Sequence, residues 1–131
     1  MSRYRAATRA ALVAALKAAP DLGAPVYANP PTNLVEKLIL IGDIAFEEPI
    51  SKTEPGGWCN FNIEVWFQTF SPAEVDGIAD AVVTRLDGQT PAMAGRDFSP
   101  AMFIGEQVQT LPIEAGGPVF GRILAFRIFV E

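Results

Sequence analysis

The side chains closest to a catalytic pair in this sequence are four carboxylates, Asp43, Glu47, Glu48 and Glu64. Two carboxylates held together can act as acid and base, or bind Mg²⁺. Residues 34–46 and 58–70 both read as strands, and pairing them would draw these four groups towards one another. Their spacing carries no specific signature, and Glu47 and Glu48 beside Pro49 read as a solvated loop. The stretch 116–123 (GGPVFGRI) has the glycine spacing of a phosphate loop. Arg122 stands where such a loop needs lysine, and Ile123 where it needs the hydroxyl that holds magnesium. A strand follows rather than a helix, so no helix N-terminus awaits a phosphate. The segment reads as a glycine-rich hairpin turn.

The chain has no histidine and one cysteine. That excludes a Ser-His-Asp triad, a Cys-His dyad and any His-ligated metal site. Cys59 falls on the inward face of a strand without a base to activate it, and reads as a small core residue. Ser51, Thr53 and Ser71 have no base partner either. Catalysis is not expected, nor is a cofactor or a metal.

The elements that must position any other site follow from periodicity. In residues 3–19 alanine pairs favour helix, and Tyr4, Thr8, Ala11, Leu12, Ala15, Leu16 and Ala19 share one face. Arg5 and Arg9 lie at the edge of that face, and Pro20 stops the helix. The arginine-rich start with its short apolar run makes a poor signal peptide and an ordinary amphipathic helix. Residues 23–33, with three prolines, are turn and extended chain with a short strand at Val26–Tyr27. Residues 34–46 form a strand apolar on both faces, with Gly42 marking a bulge. Residues 58–70 alternate strictly, with Cys59, Phe61, Ile63, Val65 and Phe67 inward and Trp66 on the polar face. Ser71-Pro72-Ala73-Glu74 has the pattern of a capping box and opens a second helix. Gly88 is its left-handed cap. Strands over 101–111 and 119–130, joined by the 112–118 turn, complete the chain. The expected fold is α+β, an antiparallel sheet of about four strands with two helices on one face, in one domain over residues 1–131.

Charge and hydrophobicity point to assembly. The net charge is −5, but residues 1–17 carry four bases and no acids, leaving −9 over residues 18–131. Such asymmetry suits electrostatic steering onto an acidic neighbour, including another copy of the chain. The acidic balance argues against wrapping nucleic acid. No apolar run approaches the roughly 18 residues of a membrane span. Half the residues are hydrophobic. Trp58, Trp66, Met93, Phe98, Met102 and Phe103 fall in or beside loops or on a polar face, which favours a protein–protein surface. The two-faced strand 119–130 is a candidate edge for pairing across a subunit boundary.

Read in order, the chain resembles the tail terminator, or tail completion, proteins of siphophages and related gene transfer agents. The matching segments are the helix ATRAALVAALKAA, the link APVYANPP, the strand LILIGD, the segment GWCNFNIEVW, the helix IADAVVTRLDG and the final strand ending FRIFVE. A departure is FQTFSPAE, where such proteins often carry a more basic stretch. The resemblance implies a hexameric ring that ends tail tube polymerisation and joins the tail to the head-side connector, with DNA passing through its lumen. It implies a virion protein of the tail and neck, made in the bacterial cytoplasm, whose partners are sister copies, the major tail tube protein and the head-side stopper or connector. No sequence-specific DNA binding and no membrane are implied. The candidate contacts with a neighbouring copy or the tube are Arg5, Arg9, Glu47, Glu48, Lys52, Trp58 and Trp66. Alternatives are a head-tail stopper, a tail tube subunit, or a small ligand-binding or hydrolytic domain.

Overall fold

The computed structural model describes residues 2–19, 21–30, 36–47, 56–69, 71–92, 97–111 and 118–131. The chain runs α1 (Ser2–Lys17), β1 (Val26–Tyr27), β2 (Lys37–Glu47), β3 (Gly57–Gln68), α2 (Pro72–Leu86), β4 (Met102–Leu111), β5 (Val119–Val130). The strands make one five-stranded sheet in the order β1-β2-β3-β5-β4. Four of them pair antiparallel, and the two-residue β1 joins β2 in parallel. The fold is α+β as the sequence predicts, with β1 as a fifth strand.

The strict alternation of β3 sets the two faces. Cys59, Phe61, Ile63 and Val65 are buried, while the residues between them are half-buried. Opposite them on β5 stand Ile128, Phe126, Leu124 and Arg122. Phe61 and Phe126 stack with ring centroids 5.4 Å apart. Leu12 and Leu16 of α1 and Val75, Ile78, Val82 and Leu86 of α2 close over this face to complete the core. Both helices therefore pack on one side: α1 over β1 and β2, and α2 over β3, β5 and the start of β4. Gly42 lies in the register shift between Ile41 and Ile44, at the expected bulge.

Two details depart from the sequence reading. Strand β5 is not an edge; it lies between β3 and β4, and β4 is the edge. Its second apolar face has a different cause, because Phe129 packs against Trp58 and Gly121 lies under Trp66. The start of α2 is not closed by a reciprocal capping box. Ser71 is the N-cap in extended conformation, with no side-chain bond. Thr69 instead donates its hydroxyl to Glu74 Oε2 at 2.6 Å and accepts the Ser71 N–H at 3.3 Å. A hydroxyl-to-carboxylate bond is the stronger attraction for Glu74. Gly88 does take the left-handed conformation, φ +75°. Its N–H donates to Ala101 O at 2.8 Å, tying the helix end to the start of β4.

Gly121 is required where it stands. A Cβ there would lie 2.6 Å from Trp66 Cε3 and 2.7 Å from Cη2. Trp66 in turn donates its indole N–H to Glu64 Oε1 at 2.9 Å, which fixes the ring. Gly121→Ala is expected to lower stability by about 1–3 kcal/mol through overpacking. The loss should be smaller when Trp66→Ala is already present. Urea unfolding of the two single variants and the double variant measures this coupling.

Candidate functional site

Glu47 and Glu64 do not meet. Glu47 stands opposite Trp58 in the sheet register and Glu64 opposite Leu40. They are six residues apart along β3, which separates them by about 20 Å. Each is engaged elsewhere, Glu64 by the Trp66 indole and Glu47 by Arg127 Nη2 at 3.0 Å. Asp43 borders a hollow of about 310 Å³ on the uncovered sheet face, with Ala45, Asn60, Asn62, Ile104 and Ala125. Glu48 lies outside the described residues. Among the described residues no group of three His, Cys, Asp or Glu side chains could hold a metal ion, and no helix is long and apolar enough to cross a membrane.

Cys59 is fully buried, as its inward position predicts. Its Sγ lies 3.6 Å from Thr8 Oγ1. Burial pushes the thiol pKa up, against smaller opposing effects of the Thr8 hydrogen bond and the Arg5 charge. A thiol held protonated in the core is a poor nucleophile.

The surfaces left over are more telling. Both helices lie on one face, so among the described residues no helix covers the other face of the sheet, the bare face. At one end of it Arg127 stacks over Trp58, 4.3 Å from the ring centroid, and pairs with Glu47. Trp58 meets Phe129 edge-on at 5.2 Å. Two expected contact residues, Glu47 and Trp58, are thus brought together. Arg127 and Phe129 were missed, although their alternation along 119–130 places them on the same face. Lys52 lies outside the described residues, with most of the 47–57 loop. Trp66 is half-buried over Gly121, farther along the same face. Arg5 is exposed on α1. Arg9 is turned inward and donates to Ala28 O at 3.3 Å and Ile41 O at 3.0 Å, bracing the β1–β2 side of the sheet.

The second surface is the edge strand. All of β4 except Gly105 is exposed, including Met102, Phe103, Ile104, Val108 and Leu111. Ile104 keeps 59% of its surface in water and Val108 62%. Helix α2 reaches only the start of this strand. A bare sheet face and an apolar edge on a 131-residue chain suit assembly rather than chemistry.

Comparison with known proteins decides the family. The family described as Tail completion protein gp17 matches residues 10–131. The chain belongs to this tail completion family. Among solved structures, a chain from "Virion of native gene transfer agent (GTA) particle" superposes with a TM-score of 0.78 at 23% identity. The match covers 97% of this chain and 96% of that one. At that identity the likeness is one of fold. No curated protein matches the sequence. Members of the family are structural tail proteins, and the arrangement of leftover surfaces is what such a part needs.

The Cys59 environment gives a test of the core. The unfolded thiol loses its proton near its ordinary value of 9.0, while the native thiol keeps it to higher pH. The unfolded state therefore binds fewer protons above that pH, and the contribution of this group falls as pH rises through 9 towards the native value. The urea midpoint is expected to drop between pH 8 and pH 10, and to drop less in Cys59→Ala. Cys59 should also resist a thiol reagent at pH 8 until urea unfolds the chain.

Proposed function

We propose that this protein is the tail terminator of a phage-like particle. It forms a hexameric ring on the head-proximal end of the tail tube, stops tube growth and offers a docking face to the head-side connector. The observation that carries this reading is the tail completion family match over residues 10–131. The fold-level likeness to a chain of a gene transfer agent virion supports it, and with it a place in the virion. A closed ring of identical chains needs a head-to-tail interface, and the bare sheet face and the exposed β4 edge supply surface for one. With each copy at −5, a ring presents an acidic surround in which DNA slides without sticking. The protein's work in this reading is mechanical and needs no catalysis, cofactor or metal.

Within this reading the Glu47–Arg127–Trp58–Phe129 end of the bare face meets the tube or the adjoining subunit. Half-buried aromatic rings beside a charged pair are the composition of an interface anchor. Lys52, Glu48 and Arg5 extend the proposed contacts. Trp66 and Arg9 have internal partners as well, so their replacement tests folding together with assembly.

Particles produced without the gene are expected to show overlong or headless tails under the electron microscope. Normal tail length and normal joining would end the terminator reading. Glu47→Lys breaks an exposed ion pair and sets a second cation beside Arg127, and is expected to lower stability by about 1 kcal/mol without unfolding the chain. It should nonetheless fail to restore joined particles when supplied to a strain lacking the gene.

A further inference from the structure

Helix α1, packed over β1 and β2, is basic, and the flank of α2 beside β4 is acidic. At the β1–β2 end lies α1, which carries Arg5, Arg9 and Lys17 and no acidic residue. At the β4 end lies the flank of α2. Asp76 there pairs with Arg122 of β5 at 2.8 Å. Arg122 stands opposite Val108 of β4. Asp87 Oδ1 accepts the Phe103 N–H at 3.0 Å. Both contacts turn that side of α2 towards β4, and Asp80, one turn after Asp76, shares the side and is exposed. Glu106 adds a further acid on the helix-side face of β4, beside Val108 in the alternation. The result is an open trough with an apolar and acidic lining, floored by β4 and walled by α2.

We propose that this trough is the joint between neighbouring copies, and that its occupant is the α1 end of the next chain. Charge complementarity selects that occupant: the acidic flank of Asp80, Asp87 and Glu106 faces the basic helix with Arg5 and Lys17. Lys17 shares the exposed side of α1 with Ala6, Ala10 and Ala14, small enough for close approach to Val108 and Phe103, and Arg5 is exposed at the edge of the buried face. The contact joins two different surfaces, so it leaves each copy with one free donor end and one free acceptor end, and rotation closes it into a ring. The inference rests on the ring reading above and names its joint.

Three variants of the full chain test it, each supplied to a strain lacking the gene. One reverses the acidic flank (Asp80→Arg with Glu106→Arg). One reverses the helix (Arg5→Glu with Lys17→Glu). The third carries all four changes. All affected side chains are exposed, and melting curves should match the parent. Each double reversal is expected to cut the yield of joined particles roughly tenfold or more, because like charges then meet at every joint. The fourfold variant, and co-expression of the two double reversals, should recover most of the yield. Val108→Ser, which removes apolar contact without adding a charge, should fail alone and gain nothing from either reversal. Double reversals that assemble like the parent, or a fourfold variant no better than the worse double, would overturn the joint. Those results leave the ring reading standing, which falls only if particles lacking the gene have normal tails.

Discussion

The pairing of β3 with β5 is the constraint on which the rest of the molecule depends. These are the two 12-residue strands, and they pair along their whole length. Their shared inward face carries the Phe61–Phe126 stack and the aliphatic rows that both helices cover. Two helices of 16 and 15 residues cover only part of a five-stranded sheet. Centring the core on β3 and β5 therefore leaves β4 outside the helix layer. The exposure of β4 follows from where the core sits; Phe103 meets the Phe126 ring edge-on at 5.4 Å, while Met102, Ile104, Val108 and Leu111 stay exposed.

The same pairing shapes the bare face. Trp66 opposite Gly121 and Trp58 opposite Phe129 are cross-strand pairs on the side without helices. Such pairs stabilise a sheet that has water on one face. They also present aromatic surface at both ends of β3. One set of residues thus strengthens the monomer and, in the proposed ring, offers contact to other parts of the tail. Trp66 shows how the two roles share a side chain, because removing its ring uncovers Gly121 as well as changing the surface.

Much of the fold was legible because the strongest signals were periodic. The alternation from Cys59 to Phe67 fixed β3 and its inward face, and the placement of Cys59 followed from it. The order α, short β, β, β, α, β, β also holds. Strand order was not legible, since apolar residues on both faces of 119–130 are compatible with a central strand as well as with an edge. The structure resolves this by showing the outward residues under tryptophans of β3. The candidate site was legible in type and only partly in position. Trp58 and Glu47 do share a cluster, but Arg127 joins it through an 80-residue separation that no local pattern encodes. Arg9 reads as a surface base from its helical position, and only the fold shows carbonyl oxygens of Ala28 and Ile41 within its reach. Thr69, which displaced the expected capping box, lay just outside the motif that suggested it.

A free apolar edge is a hazard for a chain made in many copies, and β4 carries features that limit it. The register shift between Phe103 and Gly105 bends the strand and breaks the even ladder a stray partner would need. Gln107, Gln109 and Glu106 interrupt the apolar residues, and the acids of the α2 flank repel a second copy approaching flank to flank. An edge of this kind resists indiscriminate pairing yet accepts a surface of matching charge. That distinction separates a part that ends a tube from one that builds it. A tube subunit must add to itself without limit, whereas a terminator must stay unpaired until other tail parts hold its copies side by side. In the proposed ring, an apolar edge interrupted by a register shift and by charged and amide side chains, beside an acidic flank, suits the second behaviour.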